Sequence, residues 1–514
     1  MTRHEIRWAL PYSLVLALVT SLPYVLAAIS SAPDWGFTGF LFAVEDGNSY
    51  IAKMLSGFEG AWLFRSPYST AEQSGVLAFL PYLVLGKASD GSHAQLVALY
   101  HLFRVLVIPV LVIALYRFSA LFIQNVALRR WTVIIATVGG GLGWLMMLLG
   151  QSEIAGSLPL EFYSPETFGF LAIYGLPHLT LARAVMVMGF VWYLQNESNW
   201  RAGIALLVAG IIHPPELLSA YAALAAHAIA ILGFGENNVR WAKRLGRAVL
   251  PSLPLLAYLG AKLATDSYLQ AWSAQNLILS PHPFLYLVAF GILLPAAFLG
   301  ARYLLRQRKE AMLFPVAWAI AIPALAWAPL NIQRRLPEGG WVALTVLAAS
   351  GLAMIAAKPR QISRVALAGL LIPSTLLILI SGFDFALNPR QPAFRSQEEL
   401  KVFTRLRDLA EPKEIVLASF AISNPLPAWA PVRVVAGHGP ESARLAELRP
   451  RIDEFYQESE TDVERLELIR DEHVSYVIHG PGERALGDWE PENWDCLELV
   501  DSLSGYDIFK TCLP

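Results

Sequence analysis

Charged side chains are scarce in this chain. Asp, Glu, Lys and Arg make up 16% of the 514 residues, whereas 55% of the residues are hydrophobic. A soluble globular domain carries about 25% charged residues, so the composition excludes that class. The mean hydropathy is +0.47, and long apolar runs account for it. We therefore predict a polytopic α-helical membrane protein.

Cysteine and metal-binding patterns are also nearly absent. The chain has 2 cysteines and 10 histidines, and no Cys/His spacing typical of a zinc site occurs. We expect no metal site and no cofactor, without excluding a divalent cation, and no nucleic-acid partner. Cys496 and Cys512 flank the last predicted hairpin. Two alternatives are open for them: a disulfide in an oxidising compartment, or two free thiols.

Charge is distributed unevenly along the chain. Residues 395–514 carry 24 acidic and 13 basic residues, a net charge of about −11, which leaves about +9 for the rest. This tail alternates helical and strand-like runs. We predict a membrane domain over 1–382, with its first outer loop at 30–73, followed by an α/β domain over 395–514. The first apolar run is expected to remain an uncleaved span.

Apolar runs long enough to span a membrane recur along the chain. One longer run, 202–233, is broken by two prolines after His213, and we interpret it as two short spans. The total is then about eleven. The segment 74–86 is too short to span and is predicted to be re-entrant or interfacial. The single spans lie at 8–29, 96–117, 132–149, 178–195, 248–265, 282–304, 311–329, 340–357 and 365–380.

Basic residues assign a side to each loop. With the N-terminus in the cytoplasm, most Lys- and Arg-rich loops fall on the cytoplasmic side, as the positive-inside rule requires. We therefore predict a multi-pass protein of the plasma membrane with a cytoplasmic N-terminus and an extracytoplasmic C-terminal domain. The loop residues that support this orientation are Arg117, Arg129, Arg130, Arg240, Lys243, Arg244, Arg247, Arg302, Arg306, Arg308, Lys309, Lys358, Arg360 and Arg364.

Two adjacent carboxylates, Glu45 and Asp46, follow the first span on its outer side. The next residues, 51–55, predict a short interfacial helix, for which Asn48 or Ser49 is a candidate N-cap. A carboxylate near a helix N-terminus ionises easily, as a base that deprotonates a hydroxyl must. The alternative is that the two acids face water and cap the helix.

An arginine pair, Arg334 and Arg335, is an exception to the positive-inside rule because it lies on the predicted outer face. Guanidinium groups bind phosphate oxygens in a bidentate manner, so the pair is a candidate site for a lipid-linked phosphate. The alternative is that both side chains extend to lipid headgroups.

Further polar residues lie at the predicted outer ends of spans. Such residues are costly in a membrane unless they face a cavity, so they are candidates for a substrate pocket. The alternatives are a structural pair between Arg183 and a glutamate, and helix capping at the proline break. His438, between two glycines of the tail, is interpreted as a turn residue or a glycan contact. The pocket candidates are Glu161, Glu166, His178, Arg183, His213 and Glu216.

This layout resembles the GT-C superfamily of integral-membrane glycosyltransferases. The resemblance rests on the long first span, the Glu45–Asp46 pair in the first outer loop, the stretch 64–68 (Phe-Arg-Ser-Pro-Tyr) and the Arg334–Arg335 pair before a span. It implies Asp46 as the catalytic base, with Glu45 as its substitute. It implies Arg334 or Arg335 as the ligand of the donor phosphate, and it adds Arg65 to the pocket candidates.

The resemblance covers roughly residues 1–380 and favours bacterial branches outside the protein mannosyltransferases and aminoarabinose transferases. It implies inverting transfer of a sugar from a polyprenyl-phosphate-linked donor to a lipid, glycan or protein acceptor at the cell envelope. The first loop has no clear Asp-x-Asp of the kind that oligosaccharyltransferase-type members use to bind metal.

Two other classes compete with a membrane enzyme. A transporter or flippase of a lipid-linked or anionic substrate would explain the broken span at His213. A structural anchor for the tail domain would not need eleven spans. We find no internal repeat, and the charged residues cluster on one face instead of at the midplane, so the sequence favours the enzyme.

Overall fold

The computed structural model of the chain describes residues 3–30, 33–195, 200–234 and 238–512. Residues 31 and 32 of the predicted first outer loop therefore lie outside the described part. The chain divides into two compact units. Unit 1 comprises Met1–Pro23, Phe103–Tyr258 and Leu277–Gly382, and unit 2 comprises Tyr24–Leu102, Leu259–Asn276 and Phe383–Pro514. Unit 2 thus contains the predicted tail domain, whose boundary at 382/395 stays a prediction.

Helices dominate the described residues. In chain order they are α1 (Arg3–Ile29), α2 (Val44–Phe58), α3 (Leu80–Lys87), α4 (His93–Ser119), α5 (Val126–Val138), α6 (Gly143–Leu148), α7 (Gly169–Gly175), α8 (Pro177–Gln195), α9 (Arg201–Ile212), α10 (Pro215–Phe234), α11 (Asn238–Val249), α12 (Leu253–Thr265), α13 (Ser267–Gln275), α14 (Pro283–Phe290), α15 (Leu294–Arg306), α16 (Phe314–Ala326), α17 (Gly340–Leu352), α18 (Ala357–Leu371), α19 (Pro373–Leu387), α20 (Gln397–Leu409), α21 (Phe420–Ser423), α22 (Leu445–Phe455), α23 (Asp462–Asp471) and α24 (Pro481–Arg484).

Strands occur mainly in the tail. In chain order they are β1 (Trp35–Phe37), β2 (Phe394–Ser396), β3 (Ile415–Leu417), β4 (Arg433–Val434), β5 (Val474–His479), β6 (Leu497–Leu503) and β7 (Tyr506–Thr511).

The described helices confirm a multi-pass membrane protein but not the predicted count of eleven spans. Six are long and apolar enough to cross a membrane, and the bent pair α14–α15, with an angle of 76°, would make seven. Several predicted spans form shorter helices, because the apolar run includes residues beyond the helix ends. In the run 340–357, for example, α17 has 13 residues and ends at Leu352. The six helices are Glu5–Ile29, His93–Ser119, Pro177–Gln195, Pro215–Gly233, Val239–Thr265 and Ala357–Leu387.

Within unit 1, α15 and α17 pack with their backbones in close contact. A Cβ atom on Gly300 would lie 1.8 Å from the carbonyl oxygen of Leu347. A Cβ atom on Gly351 would lie 2.1 Å from the carbonyl oxygen of Ala296. Small residues at both positions are therefore required for this crossing, as is common between membrane helices.

Within unit 2, five strands form a mixed sheet in the order β4-β3-β5-β7-β6. Strand β3 runs parallel to both of its neighbours, whereas β7 is antiparallel to β5 and β6. Neighbouring residues alternate between the two faces, so that Ile478 packs on one side and Val477 on the other. Helix α20 covers the first face with Phe403, and α22 covers the second with Ile452. The predicted α/β domain is confirmed.

Local signals explain where the tail helices begin. The hydroxyl of Ser396 accepts a hydrogen bond from the backbone N–H of Glu399 at the start of α20. Thr461 and Glu464 form a capping box at the start of α23. At the end of the sheet Cys496 and Cys512 form a disulfide, which decides between the two alternatives left open for them.

The residues of the predicted first outer loop belong to unit 2. Strand β1 pairs antiparallel with β2, which opens the tail. Helices α2 and α3 touch through their backbones: a Cβ atom on Gly57 would lie 2.1 Å from the carbonyl oxygen of Leu83. This framework positions α2, which carries the two carboxylates singled out in the sequence.

Candidate functional site

Glu45 and Asp46 lie in the first turn of α2 rather than in a loop before it. The helix begins at Val44, after Ala43, which adopts a left-handed conformation with φ 47° and provides no side-chain cap. The predicted cap at Asn48 or Ser49 is therefore wrong, because both residues lie inside the helix and are buried. The proximity of Asp46 to the positive end of a helix is as predicted.

Asp46 contacts a histidine of the tail. Its Oδ1 lies 3.2 Å from Nε2 of His438, although the two residues are 392 positions apart. The His438 side chain is 2% exposed, whereas that of Asp46 is 47% exposed. The ring of His438 also lies 5.4 Å from the ring of Tyr68. A buried imidazole thus contacts the carboxylate of a side chain that is half exposed.

A buried ion pair lies beside this contact. Lys53 Nζ is 2.5 Å from Oε1 of Glu441, and both side chains are almost fully buried. Ser49 donates a hydrogen bond of 2.8 Å to the same carboxylate oxygen. Burial raises the pKa of Glu441, but attraction to Lys53 and His438 outweighs it, so that the pKa is lowered overall. The Glu441 carboxylate is therefore held in its charged form.

The turn that carries His438 and Glu441 has further anchors in unit 2. The Ser442 hydroxyl accepts hydrogen bonds from the backbone N–H groups of Gly437 and His438, at 3.0 and 3.1 Å. The Tyr268 hydroxyl donates to the carbonyl of Glu441 at 3.0 Å. The position of the His438 ring is thus fixed by several independent bonds. Neither His438 nor Glu441 was predicted as part of a catalytic site.

Arg65, a predicted pocket residue, has a structural position in unit 2. Its guanidinium donates to the backbone carbonyls of Gln73 and Ser74, at 3.1 and 3.3 Å. These bonds tie the two ends of a surface loop together. Arg65 is exposed, and nothing in its contacts links it to Asp46.

A cleft of about 640 Å³ opens next to the His438 turn. It combines apolar side chains of α22 with the charged groups of Arg449, Asp453 and Glu454. Its wall includes Gly439, the residue after His438. The remaining lining residues are Gln275, Leu445, Ala446, Pro450 and Gln457.

In unit 1 the predicted pocket residues form a second group of buried charges. Arg183 Nε lies 2.5 Å from Oε1 of Glu338, and its Nη2 donates to the carbonyls of Pro165 and Glu166. The suggested pairing of Arg183 with a loop glutamate is therefore corrected: the carboxylate partner is Glu338. Glu338, three residues after the arginine pair, was not among the predicted pocket residues.

Arg334 and Arg335 lie in a short 3-10 helix, Gln333–Arg335, and both contact the loop before α7. Arg334 donates to the carbonyl of Tyr163 and lies over its ring at 4.6 Å. Arg335 Nε is 3.4 Å from Oε1 of Glu166, and its side chain is 29% exposed. Among the described residues this Nε atom has no hydrogen-bond partner. Arg335 is thus the less engaged of the two arginines.

The proline break between α9 and α10 brings His213 and Glu216 together, with Nδ1 and Oε2 3.4 Å apart. The ring of His178 lies 5.9 Å from that of His213. Within the described part of unit 1, buried carboxylate oxygens of Glu216, Glu166 and Glu338 accept no hydrogen bond. Of the predicted pocket residues, His178, His213 and Glu216 therefore share one region of unit 1.

Glu161 differs from the other pocket candidates. Its Oε1 accepts hydrogen bonds from the Gly143 backbone at 2.6 Å and from Ser374 at 3.2 Å. Burial raises the pKa of its carboxyl. These bonds join the loop before α7 to the start of α6, which is a structural arrangement.

The acidic and histidine residues described do not assemble a metal centre. In the described ranges, no group of three or more His, Cys, Asp or Glu side chains has the geometry to hold an ion.

No family profile and no curated protein sequence matches this chain. Solved structures do match. The archaeal oligosaccharyltransferase AglB from Archaeoglobus fulgidus, in complex with an inhibitory peptide and a dolichol-phosphate, has a TM-score of 0.55 and 12% identity over 96% of this chain and 70% of its own. The Archaeoglobus fulgidus oligosaccharyltransferase in the apo form has a TM-score of 0.54 and 13% identity, and the match covers 92% of this chain and 69% of that one. ArnT from Cupriavidus metallidurans, in the apo state, has a TM-score of 0.49 and 12% identity, and the match covers 98% of this chain and 97% of ArnT.

At this level of identity the likeness establishes the fold alone. The chain has the fold of these Archaeoglobus fulgidus oligosaccharyltransferase structures, and the resemblance given above is confirmed at the level of the fold.

Proposed function

We propose that this protein is a membrane glycosyltransferase that moves a sugar from a polyprenyl-phosphate-linked donor to an acceptor, with inversion at the sugar carbon. The observation that carries the proposal is the Asp46 carboxylate, half exposed at the start of α2 and paired with His438. In a GT-C fold, a solvent-accessible carboxylate of this kind is suited to act as a general base.

The reaction assigns one chemical role to Asp46. Its carboxylate takes the proton of the acceptor hydroxyl while the hydroxyl oxygen forms a bond to the anomeric carbon. The bond from that carbon to the phosphate oxygen breaks on the opposite face, and the polyprenyl phosphate leaves with the bonding electrons. The step needs no oxidant, reductant or second nucleophile, and it inverts the anomeric configuration.

Arg335 is the residue we assign to the donor phosphate. It is partly exposed, and its Nε atom has no hydrogen bond among the described residues. A guanidinium suits the phosphodiester monoanion of the donor and the polyprenyl phosphate that leaves. Arg334 is already engaged with Tyr163, so we assign it a supporting role. The dolichol-phosphate named with AglB supports a lipid-phosphate donor.

The acceptor is proposed to enter through the cleft beside Gly439, which offers apolar and charged groups for a lipid, glycan or peptide. The inhibitory peptide named with AglB supports an acceptor of this general kind. The disulfide between Cys496 and Cys512 supports an extracytoplasmic tail, because such bonds persist in oxidising compartments. The plasma membrane, with the N-terminus in the cytoplasm, remains our proposed location.

A transporter or flippase is the second candidate. The observation that favours it is the break between α9 and α10, where buried His213 and Glu216 face each other. Interrupted helices with ionisable groups mark binding sites in many transporters.

One pair of assays separates the two candidates. Purified protein in nanodiscs is incubated with a panel of polyprenyl-phosphate hexoses and candidate acceptors, and sugar transfer is measured. The same protein in sealed vesicles is tested for movement of the labelled lipid across the membrane. Transfer without movement supports the glycosyltransferase, whereas movement without transfer would replace it by the transporter.

A further inference from the structure

The structure assigns to His438 the role of a positioning residue for Asp46. The turn 437–442 of the tail would then be a working part of the active site rather than a cover over it. This inference rests on the proposed function, because it concerns the residue that we assign as the base.

The geometry shows which ring nitrogen of His438 contacts Asp46. Nε2 of His438 faces Oδ1 of Asp46 at 3.2 Å, whereas Nδ1 is buried and has no hydrogen bond among the described residues. A proton on Nε2 makes a hydrogen bond to the carboxylate. The contact therefore requires a proton on Nε2, with His438 as the donor and Asp46 as the acceptor.

A hydrogen bond donated to a carboxylate has two effects on a general base. It stabilises the ionised form, which is the form that accepts a proton. It also restricts the rotation of the carboxylate, because His438 holds Oδ1 in place. The Asp46 side chain is 47% exposed, so that a substrate can reach the carboxylate.

The surroundings hold the imidazole firmly. Its backbone N–H donates to Ser442, and the neighbouring Glu441 is fixed by Lys53. The charged and titratable groups near the ring are Asp46 on α2, Glu441 and Lys53 in the buried pair, and Tyr68. A histidine fixed on its own backbone, with its ring nitrogen directed at a half-exposed carboxylate, is arranged to orient that carboxylate.

The alternative is a purely structural role, in which the contact between His438 and Asp46 only attaches the tail to α2. Two substitutions distinguish the roles. His438→Phe keeps an aromatic ring of similar volume and removes the donor. His438→Gln places an amide N–H at a similar reach. If the contact only attaches the tail, the two variants lose activity in parallel with stability. If it orients Asp46, the Gln variant restores turnover.

The test measures kcat, the donor KM and the thermal unfolding midpoint of full-length protein in nanodiscs. We expect His438→Phe to lower kcat by about 10- to 100-fold, the loss expected for one hydrogen bond to a charged group, with the donor KM unchanged. His438→Gln should recover most of that loss. His473→Asn, an exposed histidine of the same tail whose left-handed backbone suits Asn, is the matched control and should leave kcat unchanged.

The outcomes separate the inference from the proposed function. A His438→Phe variant as active as wild type, beside an inactive Asp46→Asn, overturns the inference and leaves the proposed function intact. Equal losses in the Phe and Gln variants also overturn it. An Asp46→Asn variant with wild-type turnover overturns the proposed function itself. Should His438→Phe fail to fold, His438→Asn replaces it, since its shorter amide does not reach Asp46.

Discussion

Lys53 on α2 and Glu441 in the turn before α22 form an ion pair with an Nζ–Oε1 distance of 2.5 Å, and both side chains are buried. The rings of Phe79 and Phe64 lie 4.3 and 5.2 Å from the ammonium group. The pair therefore has aromatic neighbours and little access to water. Because Glu441 is three residues from His438, this ion pair also fixes the turn that reaches Asp46.

Breaking this pair on one side should be costly. Glu441→Gln leaves the Lys53 ammonium buried without its counter-charge, and we expect a loss of about 3–5 kcal/mol of stability. The double variant Lys53→Met/Glu441→Gln should recover more than half of that loss, because no buried charge remains. The thermal unfolding midpoint measures both effects.

The control for this prediction is an exposed pair in the same unit. Asp471→Asn removes the partner of Arg451 at the surface, and it should cost less than about 1 kcal/mol. A Glu441→Gln variant that is no less stable than Asp471→Asn would contradict the account of the buried pair.

The Lys53–Glu441 pair also predicts that the stability of the protein depends on pH. The pKa of Glu441 is lowered from its usual value of 4.5 in the folded protein. A lowered pKa contributes stability that is fully present above the unfolded value and is lost as the pH falls through the folded value. We therefore expect the unfolding midpoints of wild type and Glu441→Gln to differ most above pH 4.5 and to converge below it. If the difference between the two midpoints instead grew as the pH fell, the lowered pKa of Glu441 would be contradicted.

The α15–α17 crossing in unit 1 tolerates no side chain at its closest point. Gly300→Ala would place a methyl group 1.8 Å from the Leu347 carbonyl oxygen, so the helices must separate. We expect the free energy of unfolding to fall by about 1–3 kcal/mol or more. Gly260→Ala, in a helix where a Cβ atom meets nothing within 4 Å, is the matched control and should be neutral or stabilising by up to about 1 kcal/mol. Equal midpoints for both variants would refute the close packing.

Arg335 should control donor affinity more than Arg334. Arg335→Ala removes the guanidinium assigned to the phosphate, and we expect about a 10- to 100-fold increase in the Kd of a polyprenyl phosphate. Arg335→Lys should fall between wild type and Ala, because an ammonium keeps the charge without the bidentate geometry. Arg334→Ala should have the smaller effect. Binding in nanodiscs measures all three, and an unchanged Kd for Arg335→Ala would remove this residue from the donor site.

Much of the tail could be predicted from its sequence. The predicted alternation of helical and strand-like runs is confirmed, because strands such as β3 and β5 are rich in β-branched residues and lie between turn-forming ones. The start of α20 follows from local capping residues, Ser396 and Glu399. The residues that form such a cap lie within a few positions of one another, so that the sequence alone is enough to predict it.

The start of α2 was placed seven residues too late, at 51 instead of Val44. Three buried polar residues caused the error. Asn48 donates to Asn424, Ser49 to Glu441, and Lys53 pairs with Glu441. Each of these partners lies in the tail, several hundred positions away. The helical face is therefore buried without being apolar, and the periodicity that predicts amphipathic helices does not detect it.

The Asp46–His438 contact lay beyond the reach of the sequence for the same reason. His438 stands in a Gly-His-Gly segment that turn chemistry explains fully, and only the tertiary fold joins it to α2. The pairing of Glu338 with Arg183 likewise joins residues that are 155 positions apart, so that only the tertiary fold identifies it.

The central claim is that Asp46 acts as the base of sugar transfer, and one comparison tests it most directly. Turnover of a polyprenyl-phosphate hexose in nanodiscs is measured for wild type, Asp46→Asn and Asp408→Asn, an exposed acid of α20, together with donor Kd. We predict that Asp46→Asn lowers kcat by at least about 100-fold while donor Kd stays unchanged, and that Asp408→Asn resembles wild type. An Asp46→Asn variant that transfers sugar at the wild-type rate would contradict the account.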